Sequence, residues 1–284
     1  MTPMNEKIAY AIGDIHGRLD LLLASMSLIE ADVKSRGLAD EEYLIVTLGD
    51  YTDRGPNTKG VIEYLMKHPK ITAVAGNHEY ILLECFDWNT LKPIPWPQSS
   101  RDLASFLRNG GIETLESYGY EHIGSTGANV DMSIVPKEHI QWMLDLPLFF
   151  ETENYFFVHA GVKPYVRLEE QRPNDLIWIR HEFFMEADAP NPYNWGKHIV
   201  HGHTPNYNYR PELKHNRTNL DCGGVWSGRQ AVGVFDLTVQ RGPIDVLYAE
   251  IVDKSQEEEL DEYILDLLSP KKVLKNRGLW DFSD

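Results

Sequence analysis

Cysteine is the first shortage in this chain of 284 residues: only Cys85 and Cys222 are present, far apart and outside any C-x-x-C pair. That excludes a disulfide framework and a thiolate-rich structural zinc site. Long apolar runs are absent as well, since no stretch approaches the roughly 18 residues needed to span a bilayer. There is no internal repeat and no low-complexity linker. Positive charge is also scarce, with 27 Lys and Arg against 43 Asp and Glu, a net charge of −16. A surface of that sign repels polyanions, so neither nucleic acid nor an anionic membrane is an expected partner. A small anionic substrate or a phosphorylated side chain stays open, because bound divalent ions would reverse the sign locally. The opening residues, Met-Thr-Pro-Met-Asn-Glu-Lys, lack a signal-peptide apolar region. The expected setting is reducing and cytoplasmic. Nothing in the sequence speaks to oligomeric state.

What the chain does hold is a globular composition, 42% hydrophobic and 11% aromatic, enough for a sizeable core in one large domain or two smaller ones. Ile8–Ile12, Tyr43–Leu48 and Ile71–Ala75 read as buried strands. Helical spacing follows each of them, over Leu19–Ile29, Val61–Met66 and about His78–Leu83. That alternation predicts right-handed crossovers and a mostly parallel sheet. Proline at 93, 95 and 97 predicts a loop over Asp87–Ser99. Helices are expected at Ser100–Asn109, Ile112–Ser117 and Pro136–Leu144, making a small helical cap inserted at about 85–150. Strands resume at Tyr155–Val158, His198–Val200, Ala231–Leu237 and Ile244–Ile251. They alternate less with helices and are expected to build a second, mixed sheet. An amphipathic acidic helix is expected at about 255–270.

Chemistry enters at the strand ends. Gly-Asp-Ile-His-Gly occupies 13–17, Gly-Asp-Tyr-Thr-Asp-Arg-Gly 49–55 and Gly-Asn-His-Glu 76–79. His-Ala-Gly follows at 159–161 and His-Gly-His-Thr at 201–204. Taken singly, each is ordinary turn chemistry: a capping Asp, a left-handed Asn, a structural His. Together they place Asp, His, Asp, Asn, His and His just past the carboxyl ends of strands, where open α/β sheets bind ligands. Carboxylate, amide and imidazole without thiolate suit Mn, Fe, Zn or similar ions. Two such ions about 3.5–4 Å apart would clamp the attacking and leaving oxygens of an in-line displacement. A bridging water, ionised near neutral pH, would be the nucleophile, so no Ser or Cys nucleophile is required. Asp50, with two carboxylate oxygens, suits a bridging ligand. Arg54 and Arg180 would form a phosphate clamp through bidentate bonding. His78 fits a general acid for the leaving oxygen, with Asp53 fixing its tautomer and raising its pKa.

The motifs at 13–17, 49–55 and 76–79 resemble the three signatures of the phosphoprotein phosphatase (PPP) family of metallophosphoesterases. His159-Ala160-Gly161 and Gly202-His203-Thr204 match its later metal-ligand turns. The Trp178–Arg180 run and the segment Asn219-Leu220-Asp221-Cys222-Gly223-Gly224 are similar to the bacterial and phage serine/threonine branch. The resemblance implies a single domain with a four-layer α/β/β/α sandwich. It implies one metal on Asp14, His16 and Asp50, and a second on Asp50, Asn77, His159 and His203. It puts Asn77, Arg54 and Arg180 on phosphate, and His78 with Asp53 as the acid pair. It selects His203 over His201, because His203 precedes Thr204, and gives Cys222 a packing role. The implied cofactors are two divalent ions, manganese first, with Fe, Zn, Ni or Co as alternatives.

Three functions follow. The leading expectation is a phosphatase acting on phosphoserine and phosphothreonine in proteins, with phosphotyrosine and small phosphate esters behind them. A symmetrical dinucleoside tetraphosphate hydrolase is the alternative within the same chemistry. A pseudo-enzyme that binds phosphorylated partners without turnover is the alternative outside it, disfavoured by the complete donor set.

Overall fold

The computed structural model describes residues 6–95, 100–121, 130–190 and 192–251. The helix expected at about 255–270 lies outside the described residues. The first strands form where β-branched and apolar residues run together: β1 at Ile8–Ile12 and β2 at Tyr43–Thr47, each buried over its last four residues. Helix α1 fills the crossover at Leu19–Arg36. It runs a further two turns past the apolar stripe that predicted its end at Ile29. Gly37 stops it in the left-handed conformation, φ 67°, with its N–H on the carbonyl of Lys34. Next come α2 at Thr58–Lys67, β3 at Ile71–Ala73 and α3 at Asn77–Leu83.

The insert follows. The expected loop at 87–99 contains a short antiparallel pair, β4 at Phe86–Asp87 and β5 at Lys92–Pro93, with Pro93 on an edge where a missing N–H is harmless. Helix α4 spans Ser100–Phe106, a wide turn covers Leu107–Gly111, α5 spans Ile112–Ser117 and α6 spans Lys137–Leu144. Phe106, Leu115, Ile140 and Met143 close a separate apolar core over Leu82 and Leu83 of α3.

The second half brings β6 at Phe149–Glu151, β7 at Tyr155–Val158, α7 at Pro173–Trp178, α8 at His181–Ala187 and β8 at His198–His201. Then follow β9 at Glu212–Leu213, β10 at Arg217–Asn219, α9 at Gly224–Ser227, β11 at Arg229–Asp236 and β12 at Asp245–Glu250. One sheet has the order β12-β11-β1-β2-β3, the other β6-β7-β8-β10-β9. In the first, the parallel strands β1-β2-β3 run out to one edge and antiparallel β11 and β12 make the other; in the second, parallel β7-β8-β10 lie between antiparallel β6 and β9. Here the sequence expectation needs correction. The strands at 231–237 and 244–251 do not join the second sheet. β11 pairs antiparallel with β1, from Ile8 opposite Asp236 to Ile12 opposite Val232, and β12 extends that edge. Polar β10 escaped notice because its Arg217 is fully buried against Asp188 at 2.8 Å and Glu212 at 2.7 Å.

Strand alternation builds the layers. Ala9 and Ala11 of β1 pack inward against the second sheet, in one core with Tyr155 and Phe157 of β7. Tyr10 and Ile12 point the other way, onto Leu22, Met26 and Ile29 of α1. On the second sheet Phe156 and Val158 face outward onto Leu176 and Phe183. The result is an α/β/β/α sandwich whose two parallel cores end at the same rim. Among the described residues no helix is long and apolar enough to cross a membrane.

Candidate metal and phosphate site

Every motif side chain sits on a turn leaving one of those parallel strands. Asp14 and His16 follow β1, Asp50 through Arg54 follow β2, and Asn77 and His78 open α3. His159 follows β7 and His203 follows β8. The turns are strained. His16 (φ 45°), Asp50 (φ 53°), Asp53 (φ 71°), Arg54 (φ 70°) and His203 (φ 68°) all occupy left-handed backbone without being glycine. Each such residue costs roughly 1–3 kcal/mol and persists only where its surroundings over-determine it. The turn at Asp50 is held by Glu79, which is fully buried. Its Oε2 accepts the N–H groups of Asp50 at 3.0 Å and Gly76 at 2.8 Å. Its Oε1 accepts those of Tyr51 at 2.7 Å and Thr52 at 3.2 Å. Gly76 is obligatory, since a Cβ there would lie 2.2 Å from Asp50 Oδ1.

Asp50 divides the site. Its Oδ2 lies 3.5 Å from His16 Nε2 and 3.9 Å from His78 Nε2. Its Oδ1 lies 3.3 Å from His159 Nε2. Two donor groups result, His16–Asp50–His78 and Asp50–His159–His203, both buried. The imidazoles are oriented to offer lone pairs. His16 Nδ1 donates to the carbonyl of Thr52 at 2.8 Å, and His159 Nδ1 donates to that of Leu48 at 2.7 Å. Both therefore turn unprotonated Nε2 inward. Asn77 Oδ1 approaches His159 Nε2 at 2.9 Å, and His203 Nδ1 approaches it at 3.1 Å. Asp14 is in neither group; its carboxylate lies beside them and accepts the N–H of His203, at 2.9 and 3.1 Å.

Electrostatics match a cation site. Burial lowers the pKa of His16 and of His159 to about 3, and lowers His203 further. The imidazoles are thus neutral, as metal ligation requires. Burial and mutual repulsion raise the Asp14 and Asp50 carboxyls well above the usual range. Burial raises Asp221, whose charge bears on Asp14, to about 6. Asp14, Asp50, Asp53, Glu79 and Asp221 are all buried around this site, and the positive charges that oppose them come from Arg54 and Arg180. Divalent cations are the chemistry that lets so many carboxylates ionise together. The donor set fits two of them, with Asp50 common to both.

The groups expected to handle phosphate lie beside these donors. Arg54 Nη1 donates to His16 Nε2 at 2.7 Å and Nη2 to His78 Nε2 at 2.9 Å. Arg180, between α7 and α8, donates Nε to His203 Nε2 at 2.8 Å. His78 Nδ1 donates to Asp53 Oδ2 at 2.6 Å, which fixes the ring and leaves Nε2 facing the site. The expected rise in the His78 pKa is not found: burial, with the charges of His16 and Arg54, holds it well below 6.5. The exposed ring of Trp226 lies 5.1 Å from the Arg54 guanidinium. Exposed Trp178 stands edge-on to His203, with ring centroids 6.1 Å apart.

The structure thus gathers Asp14, His16, Asp50, Asp53, Arg54, Asn77, His78, His159, Arg180 and His203 at one rim. His201 points elsewhere, into a pocket of Phe183 and Phe184. Cys222 is buried in the layer between the sheets. Glu79 and Asp221 carried no role in the sequence reading. An acid at the third position of a helix signals a cap for the preceding turn, and that signal was available at Glu79. Asp221 shared the strand-end position of the other acids.

Comparison with known proteins agrees with this geometry. The Calcineurin-like phosphoesterase family matches residues 9–249. A serine/threonine-protein phosphatase 1 of Salmonella typhimurium is 25% identical over 228 residues, spanning 79% of this chain and 90% of that one. An asymmetrical bis(5'-nucleosyl)-tetraphosphatase, PrpE, of Bacillus velezensis is 27% identical over 237 residues, spanning 78% of this chain and 86% of that one. A solved structure of a candidate diadenosine tetraphosphatase superposes with a TM-score of 0.55 at 18% identity, over 87% of this chain and 95% of the other, and bears on the fold alone. Together with a family match that covers nearly all of the described sandwich, the site geometry leads to one conclusion: this chain is a metallophosphoesterase, a member of the calcineurin-like phosphoesterase family.

Proposed function

We propose that the chain is a phosphoprotein phosphatase of the PPP type. It hydrolyses phosphoserine and phosphothreonine, and phosphotyrosine behind them, with two divalent ions, manganese first. The cytoplasm is the proposed setting, where buried Cys85 and Cys222 stay as thiols. The observation that carries the reading is the division of Asp50, with one oxygen toward His16 and the other toward His159. Asp14, His16 and Asp50 would hold one ion; Asp50, Asn77, His159 and His203 would hold the other. Bound there, the pair would activate the attacking water and stabilise charge on the phosphoryl oxygens. The chain's own residues supply the rest. Arg54 and Arg180 present guanidinium N–H groups from opposite sides to phosphoryl oxygens, and Asn77 adds an amide. His78 Nε2, which accepts from Arg54 here, would be protonated beside the anionic phosphoryl group and would deliver that proton to the leaving oxygen, while Asp53 holds Nδ1–H and stabilises the imidazolium. Asp53, Asn77 and His78 are buried away from water, which strengthens their charge interactions.

Protein substrates are favoured by charge. The insert at 85–150 has four Lys and Arg against eight Asp and Glu, so it offers little to a polyphosphate chain. A second reading, a dinucleoside tetraphosphate hydrolase, draws on the exposed Trp226 and Trp178 rings beside Arg54 and His203, which could stack bases. Assays on phosphoserine, phosphothreonine and phosphotyrosine peptides and on diadenosine tetraphosphate, each with Mn, Co, Ni and Zn, decide between them. Faster cleavage of the phosphopeptides is expected. Much faster cleavage of diadenosine tetraphosphate reverses the order, and phosphopeptide binding without turnover in any metal leaves a pseudo-enzyme.

A further inference from the structure

We propose that Thr114, on cap helix α5, is a positioning residue for the His78–Asp53 pair, so that the cap holds the acid in place. The inference rests on the hydrolase reading above. Asp53 and Arg54 are consecutive non-glycine residues in left-handed backbone, φ 71° and 70°. Strain of that kind needs external support, and both N–H groups find it in the cap. Asp53 N–H donates to Thr114 Oγ1 at 2.8 Å, and Arg54 N–H donates to the carbonyl of Gly110 at 2.9 Å. Gly110 has φ 96°, and a Cβ there would meet Arg54 N at 2.6 Å, so only glycine lets the cap backbone come so close.

The Thr114 hydroxyl is used completely. It accepts from Asp53 N–H and donates to Asp53 Oδ1 at 2.9 Å. Its hydrogen being spent there, the Thr58 hydroxyl, 3.2 Å away, is a donor to it. The other carboxylate oxygen of Asp53 is the one that receives His78 Nδ1–H at 2.6 Å. Thr114 therefore fixes the carboxylate plane, and the plane fixes the imidazole. Thr114 is fully buried and sits next to Leu115 of the cap's own core, so its position is set by how the cap packs. Lys59 N–H donates to Ser117 Oγ, and Ser117 Oγ–H to the carbonyl of Thr114, which ties α5 to the start of α2. Thr114 touches no reacting atom; it acts through Asp53.

The test compares Thr114→Val, which keeps the shape and removes the hydroxyl, with Thr114→Ser, which keeps the hydroxyl. Both are assayed with manganese on phenyl phosphate, whose leaving group needs a proton, and on p-nitrophenyl phosphate, whose leaving group needs it far less. Thr114→Val is expected to lower kcat on phenyl phosphate by roughly 10–100-fold, part of what a general acid provides, and on p-nitrophenyl phosphate by less than about threefold. KM and metal content should hold, and Thr114→Ser should restore most of the rate. Equal losses on the two esters, no loss on either, or failure of Thr114→Ser to rescue overturns the proposal. Should Thr114→Val not fold, Thr114→Ala carries the same comparison. A second readout needs no turnover: the downfield proton NMR signal of His78 Nδ1–H should persist in wild type and Thr114→Ser and move upfield or broaden in Thr114→Val. An unchanged signal in Thr114→Val also overturns the proposal, whereas a wild type that cleaves neither ester counts against the hydrolase reading instead.

Discussion

The two walls of the site are built differently. The wall on the first sheet comes from consecutive strand–helix units between Asp14 and Glu79, and its turns share one buried carboxylate, Glu79, that gathers four backbone N–H groups. The wall on the second sheet draws His159, Arg180 and His203 from separate turns, and it leans on the first. His159 donates to the carbonyl of Leu48, and the His203 N–H donates to Asp14. One wall organises itself; the other is anchored to it. Damage to the first wall should therefore disable both ion positions, while damage behind the second should stay local.

Asp50→Asn is the most severe way to break that asymmetry. Removing one charge from the residue that faces both donor groups should empty both ion positions. Activity should fall on the order of 10³-fold or more, since Lewis-acid stabilisation is worth several kcal/mol. Plasma emission analysis of metal per chain checks it. Retention of one ion per chain would mean that Asp50 serves only one donor group.

Glu79→Gln probes the same wall without touching a donor. The amide nitrogen of Gln cannot accept an N–H, so at least one of the turns around Asp50 loses its anchor. A fall of about 10–100-fold in metal affinity is expected, as for other residues that orient ligands. Calorimetric titration with manganese measures it. Wild-type affinity would show that the turns hold their left-handed conformation without Glu79.

The same contrast explains what was legible in the sequence. Asp14, His16, Asp50, Asp53, Arg54, Asn77 and His78 lie within a few residues of apolar strands, so pattern and chemistry coincide there. The sandwich itself was implied by the family resemblance; that Ala9-Tyr10-Ala11-Ile12 alternates between two cores appears only in the structure. The hidden features depend on long-range pairing. Nothing local in Ala231–Leu237 says that it pairs with Ile8–Ile12, more than 200 residues earlier. Arg217-Thr218-Asn219 is a buried strand of polar residues whose burial is compensated by Asp188 and Glu212. Thr114 carries no motif, and its meaning appears only when α5 meets Asp53.

A pH experiment sharpens the comparison outside the ion site. His198 is buried in the second sheet, with Nε2 2.9 Å from Thr218 Oγ1, and burial lowers its pKa from 6.5 to about 4. Below 6.5 the unfolded chain binds a proton that the folded chain refuses until about 4. Stability is therefore full above 6.5 and falls as the pH drops across that window, by about 3 kcal/mol for this one group. His198→Phe should flatten the fall in urea midpoint over this range for the metal-loaded protein while leaving activity at neutral pH unchanged. An undiminished slope would show that His198 is not the source of the acid sensitivity.

The smallest effect is expected at His201, two residues before His203 and fully buried. Its Nδ1 donates to the carbonyl of Gly202 at 3.1 Å, its Nε2 has no hydrogen-bond partner among the described residues, and its ring packs 5.1 Å from Phe183. Replacement by Phe keeps an aromatic ring in an aromatic pocket and removes the unpaired nitrogen. The Gly202 carbonyl stays satisfied, because the Thr204 N–H donates to it at 2.8 Å. Stability should change by less than about 1 kcal/mol, the lost hydrogen bond offset by the removal of a buried polar atom. Activity should stay within about threefold of wild type, since no contact of His201 reaches an ion-facing atom. Thermal melting, manganese content and turnover of p-nitrophenyl phosphate measure all three. Loss of an ion in His201→Phe would make His201, rather than His203, the imidazole that closes the second wall, and would invert the selection made from Thr204.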